Sequence, residues 1–169
     1  MIQTFYPNAE YKSTYDIDFQ AYYDEGYRGV IFDIDNTLVP HNAGPTEQVI
    51  YLMQKLKEIV FSVCLLSNNK EPRVASFNEP LQVQYIYKAN KPSRVGYIKA
   101  VDLMDTRLDT TLFVGDQLFT DVWGAKRTGI FSILVHPIHP KEEIQIVLKR
   151  FLEKPILWAY HRGQKKDEG

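Results

Sequence analysis

Four short segments of this chain hold side chains whose types and order could move a phosphoryl group. Asp33-Ile34-Asp35-Asn36-Thr37 sets two carboxylates two residues apart, with a hydroxyl two further on. Ser67-Asn68 follows, then Lys91-Pro92, then Gly115-Asp116 with Asp121 five residues beyond. A phosphate monoester is an anion whose uncatalysed hydrolysis is among the slowest reactions, and its catalysts reach accelerations of up to ~10²¹. A carboxylate such as Asp33 can attack phosphorus and form an acyl phosphate that water then cleaves. Carboxylate and phosphate repel, so the site must supply positive charge. Asp33, Asp116 and Asp121 could hold Mg2+, a hard cation that takes oxygen ligands, and Lys91 adds a second positive charge. Asp35 can protonate the leaving oxygen and then activate water. Ser67, with nearby backbone N–H groups, can hold the transferring oxygens. Taken singly, each residue reads as a helix cap, a turn residue or a solvated charge. The ordered combination is what points to chemistry.

These groups need elements to bring them together. Arg28–Asp33, Phe61–Leu66, Val83–Tyr87, Thr111–Val114 and Ile130–Val135 are short apolar runs that read as five strands. Between them lie helical patterns. One starts at Gly44-Pro45, with Pro45 at the first helical position, and carries Val49, Met53, Leu56 and Val60 on one stripe. A short one covers Pro72–Phe77, another opens at Pro92-Ser93, and another spans Thr120–Arg127 and closes at Gly129 in a left-handed cap. A last helix is expected over about 141–160, extending past Pro155, with a flexible polar tail over 163–169. Strands that alternate with helices imply an α/β, Rossmann-like three-layer fold with a mostly parallel five-stranded sheet. Ligands of such folds sit at the carboxyl ends of the strands. All four chemical segments fall there.

FDIDNTLV, LLSNN, the Lys91-Pro92 step and VGDQLFTD together resemble the four signatures of the haloacid dehalogenase (HAD) superfamily of phosphatases. The variant is most similar to the small IIIA-type YqeG group, itself similar to mitochondrial phosphatidylglycerophosphate phosphatases. The resemblance implies Asp33 as nucleophile and Mg2+ ligand, and Asp35 as general acid/base with its backbone carbonyl on the metal. It implies Thr37 positioning the turn, Ser67 and Asn68 on the phosphate, and Lys91 bridging nucleophile and phosphate. Asp116 would bind the metal, and Asp121 would support it directly or through water.

Many phosphatases of that superfamily carry a cap domain inserted after the first or second signature. Asp33 and Ser67 are 34 residues apart, and Ser67 and Lys91 are 24 apart. Both intervals are filled by one helix and one strand, so the fold is expected to be HAD-like without a cap domain: one domain over 1–169 with its core at about 26–135. An open site suits a bulky phosphorylated substrate, including a lipid headgroup. Leu38–Gly44, with His41, is the candidate flap.

The remaining composition narrows the class. Twenty basic residues against 21 acidic ones give a net charge of -1, which argues against a nucleic-acid coat. One cysteine, Cys64, excludes an intrachain disulfide framework. The N-terminus lacks a basic-then-apolar leader, so a cytoplasmic location is expected. Lys149–Lys166 mixes six basic residues with Phe151, Leu152, Ile156, Leu157, Trp158 and Tyr160. It reads as a terminal helix packed on the sheet, with peripheral contact to the inner membrane surface as the alternative. His136 and His139 read as part of a proline-stiffened loop. Homo-oligomerisation is a further way to cover the site. The competing functions are a phosphotransferase and a receiver-like signalling domain. A receiver, however, places its acceptor after the third strand and its lysine after the fifth, which this chain does not.

Overall fold

The computed structural model describes residues 2–139 and 144–167. Its centre is one sheet in the order β1-β6-β5-β2-β3-β4, with every neighbouring pair parallel. The strands are β1 (Ala9–Tyr11), β2 (Gly29–Phe32), β3 (Ser62–Leu66), β4 (Gln84–Ile86), β5 (Thr111–Gly115) and β6 (Phe131–Val135). The helices are α1 (Phe19–Asp24), α2 (Glu47–Ile59), α3 (Glu71–Asn78), α4 (Arg94–Met104), α5 (Trp123–Thr128) and α6 (Ile144–Asp167). β2 and β5 are buried along their whole length, which is why they read as continuous apolar runs. One core forms between β2, β3, α2 and the N-terminal aromatics, with Phe32, Leu56, Leu65 and Phe19 at its heart. A second, with Ile31, Leu66, Tyr97 and Phe113, lies on the opposite face under α4 and α5.

The sheet has six strands where five were expected. The sixth, β1, is three residues long and lacks an apolar run, so nothing local announces it. It lies at the edge beside β6, locked there by Asn8. Asn8 N–H donates to the Ser132 carbonyl at 2.9 Å, and Asn8 Oδ1 accepts from Ser132 N–H at 2.9 Å. A side chain here continues the ladder that the backbone begins.

Several boundaries also shift for a local reason. α2 starts two residues after Pro45 because the Thr46 hydroxyl caps the Val49 N–H at 3.2 Å. Val60 was expected on the helix stripe. It is instead the C-cap in a left-handed conformation (φ 74°) and 69% exposed. Thr120–Arg127 is not one α-helix. A π turn over Leu118–Val122 precedes α5, and Gly129 closes α5 at φ 92° as expected. α6 runs through Pro155 to Asp167. The first residues of the expected terminal helix, 141–143, and the last two of the expected tail, 168 and 169, lie outside the described residues.

The termini brace the sheet edge that carries the four segments. Thr14 Oγ1 donates to the Thr37 carbonyl at 2.8 Å, and the Tyr15 hydroxyl donates to the Leu38 carbonyl at 2.7 Å. On α6, the buried Glu153 accepts the Phe119 N–H of the π turn at 3.1 Å, while Ile156 and Leu157 pack against Leu118, Val122 and Leu134. Phe151, Leu152 and Trp158 remain exposed, with Lys154 over the Phe151 ring and Arg162 over the Trp158 ring. The side chains of Lys149, Arg150 and Lys166, part of the basic stretch read in the sequence, lie outside the described residues. Among the described residues, no helix is long and apolar enough to cross a membrane.

Candidate active site

β2 ends at Phe32, and the chain turns at once. Asn36 adopts a left-handed conformation (φ 62°), which an asparagine tolerates better than a branched residue. Its N–H donates to the Val39 carbonyl at 2.7 Å, while Leu38 N–H donates to the Ile34 carbonyl at 2.9 Å. The turn projects Asp33, Asp35 and Thr37 over the sheet edge. The loop after β6 supports it from outside, with Ile138 N–H on the Asn36 carbonyl and His139 N–H on Asn36 Oδ1. Those contacts place the His136–His139 segment as a buttress for the turn.

Asp33 is held from both sides. Lys91 Nζ donates to Oδ1 at 2.8 Å, and Thr37 Oγ1 lies 3.0 Å from Oδ2. The same Thr37 oxygen is 3.2 Å from Asp116 Oδ1. A hydroxyl carries one proton, so it donates to one of these carboxylates at a time. Lys91 also donates to Asp121 Oδ1 at 2.8 Å, and its side chain is almost fully buried. Asp121 Oδ2 accepts the N–H groups of Asp116 and Gln117, both at 3.1 Å. The π turn is what reaches this far in. Gly115 lets it do so: a Cβ there would sit 2.5 Å from Asp121 Oδ2. Tyr97, buried beneath, donates its hydroxyl to the Thr120 carbonyl at 2.6 Å and steadies the turn.

Asp33, Asp116 and Asp121 offer carboxylate oxygens that all lie within 4.8 Å of one another. Among the described residues Lys91 is the cation set on Asp33 and Asp121, and three carboxylates held this close repel one another unless positive charge offsets them. The donor set is all oxygen, so it fits a hard divalent cation. Burial pushes the Asp121 carboxyl pKa up, opposed by Lys91. Burial alone would lower the Lys91 pKa, but Asp121 and Asp33 outweigh it and hold the ammonium firmly protonated.

Asp35 faces the other way. Its Oδ1 accepts the Asn42 N–H at 2.7 Å and Arg73 Nη2 at 2.9 Å, and its Oδ2 accepts Asn69 Nδ2 at 2.8 Å. His41 Nδ1 stands 3.9 Å from Oδ1. Ser67 Oγ accepts the Asn69 N–H at 3.1 Å in a tight turn after β3. Asn68 clamps the backbone of Lys91: its Oδ1 accepts the Lys91 N–H at 2.7 Å, and its Nδ2 donates to the Lys91 carbonyl at 3.2 Å. Leu38 and Val39 are buried in the core, so of the expected flap only 40–44 reach the rim.

These residues surround an open cleft of about 390 Å³ lined by Asp33, Asp35, His41, Ser67, Asn68 and Lys91, with Asn69, Gln117 and Thr120 among the others. All eight residues singled out in the sequence gather at this one edge. Asn69, Arg73, Gln117 and Thr120 were not singled out. Asn69 stood beside a chosen residue, and Gln117 and Thr120 stood between two chosen aspartates. Arg73 lay inside a helix and gave no signal. The interval from β2 to β3 contains the turn and α2, and the interval from β3 to β4 contains α3.

Comparison with known proteins agrees with the geometry. The HAD-hydrolase-like family pattern matches residues 88–142. The chain is 35% identical to the Bacillus subtilis (strain 168) protein named "Probable phosphatase YqeG", over 94% of this chain and 92% of that one. It is 24% identical to an Arabidopsis thaliana protein, "Phosphatidylglycerophosphate phosphatase 1, chloroplastic/mitochondrial", over 89% of this chain and 49% of that longer one. Among solved structures, a cobalt-bound deoxy-D-mannose-octulosonate 8-phosphate phosphatase of Haemophilus influenzae shares the fold. It has a TM-score of 0.54 at 14% identity, covering 81% of this chain and 91% of that one.

Proposed function

The chain belongs to the haloacid dehalogenase-like hydrolases and is a phosphatase of that family, and from that premise we propose that it cleaves a phosphate monoester through a phospho-aspartate at Asp33, with Mg2+ as its metal. The observation that carries the reading is Asp33 itself. Its carboxylate opens on the cleft, with the Lys91 ammonium on one oxygen and the Thr37 hydroxyl by the other. Asp33 attacks phosphorus, the bond to the leaving oxygen breaks, and Asp35 gives that oxygen its proton. Asp35, now a carboxylate, takes a proton from water as the water attacks the acyl phosphate, and phosphate and free Asp33 result. Lys91 and Ser67 hold the phosphoryl oxygens, with Asn68 fixing Lys91 in place. Asp33, Asp116, Asp121 and the Asp35 carbonyl would hold Mg2+, whose charge offsets the repulsion between carboxylate and phosphate.

The test is turnover of 4-nitrophenyl phosphate with Mg2+. Asp33→Asn is expected to lose at least about 10³-fold in kcat. Quenched wild-type protein should carry a hydroxylamine-sensitive phosphate on Asp33. Full turnover by the variant ends the proposal. Product analysis with competing alcohols separates hydrolysis from phosphotransfer.

We read the site as capless and the substrate as bulky, because the cleft is open and the intervals that would hold a cap contain only single helices. A lipid headgroup is the favoured class, with phosphatidylglycerophosphate, named in the Arabidopsis relative, as the first candidate. The exposed Phe151, Leu152 and Trp158 beside Lys154 and Arg162 suit peripheral contact with an anionic membrane face. On this reading the protein works in the cytoplasm at the inner membrane surface. A panel of phosphatidylglycerophosphate in detergent, sugar phosphates, nucleotides and a phosphopeptide reads the preference. Selective turnover of sugar phosphates without vesicle binding removes the lipid reading.

A further inference from the structure

Arg73 lies in the first turn of α3, and neither the metal cluster nor the phosphoryl cradle accounts for it. Its guanidinium rests against Phe77, with 5.3 Å from Cζ to the ring centroid. Among the described residues its hydrogen-bond partner is Asp35 alone, through Nη2 at 2.9 Å. Its Nε–H is a buried donor with no partner among the described residues. An arginine kept for general solubility would keep its donors in water. This one leaves a donor unsatisfied and aims a single nitrogen at one carboxylate. Arg73 does not line the cleft, whereas Asp35, Asn69 and His41 do. It therefore reaches the reacting atoms only through Asp35.

The contacts on Asp35 also distinguish its two oxygens. A carboxylate offers about four acceptor positions, two on each oxygen. Oδ1 is filled by the Asn42 N–H and by Arg73. Oδ2 accepts Asn69 and, among the described residues, keeps one position open. Two segments distant in sequence, the 40–44 rim and the start of α3, thus close around one side of the carboxylate and leave the other for chemistry.

We propose that Arg73 is the positioning residue of the acid/base step: it clamps Oδ1 of Asp35 and so presents Oδ2 to the leaving oxygen. The proposal rests on the assignment of Asp35 as general acid/base, and its test separates the two. Phenyl phosphate and 4-nitrophenyl phosphate have similar shapes, but the phenolate of the first is the more basic leaving group and depends more on a proton. Asp35→Asn should therefore lose more kcat/KM, which reports the step that expels the leaving group and not the later hydrolysis common to both substrates, on phenyl phosphate than on nitrophenyl phosphate. Arg73→Gln should show the same bias, with a loss of about tenfold or more in kcat/KM on phenyl phosphate and a smaller loss on nitrophenyl phosphate. Arg73→Lys should recover part of the loss, because it restores a cation of similar reach. The variant carrying both Asp35→Asn and Arg73→Gln should be no slower than Asp35→Asn alone, since groups that act as a unit are not additive.

Losses in kcat/KM that multiply in the double variant overturn the proposal, as does a kcat/KM loss equal on both substrates. If Asp35→Asn itself shows no leaving-group bias, the assignment of Asp35 fails and the clamp fails with it. If Asp35→Asn shows the bias and Arg73→Gln does not, the clamp alone fails. Arg73→Lys, which keeps the charge, covers the case in which the glutamine variant folds poorly.

Discussion

Lys91 is the residue on which the site's electrostatics turn. It is buried with two carboxylates at 2.8 Å, an arrangement that would be ruinous for any one of the three alone. Its position was legible in the sequence as a lysine before a proline in a fixed order of motifs. Its double role, joining Asp33 to Asp121, was not, because that contact spans 30 and 58 residues and is made by packing. Asn68 shows the same limit. Its type and place suggested a phosphate contact, yet both ends of its carboxamide hold the Lys91 backbone. Cys64, read as a core residue, lies fully buried in β3. Burial pushes its thiol up to about 12. The thiolate is the reactive form, and it is scarce at any pH well below that value. Native protein at pH 8 is therefore expected to resist iodoacetamide over hours and to label promptly once denatured, as followed by intact mass. Rapid labelling of the native chain contradicts this.

At the scale of elements, irregular pieces do the positioning. π turns are rare and concentrate at functional sites. Here one carries Asp121 into the carboxylate cluster and is braced by Tyr97 and by Glu153 of α6. A helical reading of Thr120–Arg127 missed it because its apolar spacing differs little from that of an α-helix. Val60 marks a second irregularity. A branched side chain in the left-handed region costs about 1–2 kcal/mol, and being mostly exposed it regains little by packing. Val60→Gly is expected to stabilise the chain by about 1 kcal/mol, less than the full strain because glycine loses more freedom on folding. In a chain of this size that corresponds to roughly 2–4 °C in Tm. A calorimetric scan reads it, and a lower Tm would show that the valine makes a contact worth more than its strain.

For the molecule as a whole, the sheet order explains why the acidic groups converge. β2 lies between β3 and β5, so the ends of three neighbouring strands share one edge. Asp33 follows β2, Asp116 follows β5, and Asp121 comes from the π turn beyond. A cation held by all three binds the folded chain and not the unfolded one. Mg2+ is therefore expected to raise Tm, with stabilisation of about 2.7 kcal/mol when free ion exceeds Kd a hundredfold. EDTA should reverse it, and Asp116→Asn should shrink it. An equal shift in wild type and variant would place the binding elsewhere. The same sheet order leaves the mouth of the cleft to short loops and side chains, which is the basis for reading it as open to bulky substrates.

The sequence alone determined the chemical inventory, its order along the chain and the alternation of strands and helices that carries it. Those features are local: apolar runs mark buried strands, caps mark helix ends, and the candidate catalytic groups follow strand ends at short range. Tertiary structure alone decided which donor meets which acceptor. Arg73 and Asn69 on Asp35, Asn68 on Lys91, Glu153 on the π turn and Asn8 beside β6 all join positions 23 to 124 residues apart. Such pairings follow from how helices and loops pack over the sheet, and no spacing within one segment records them.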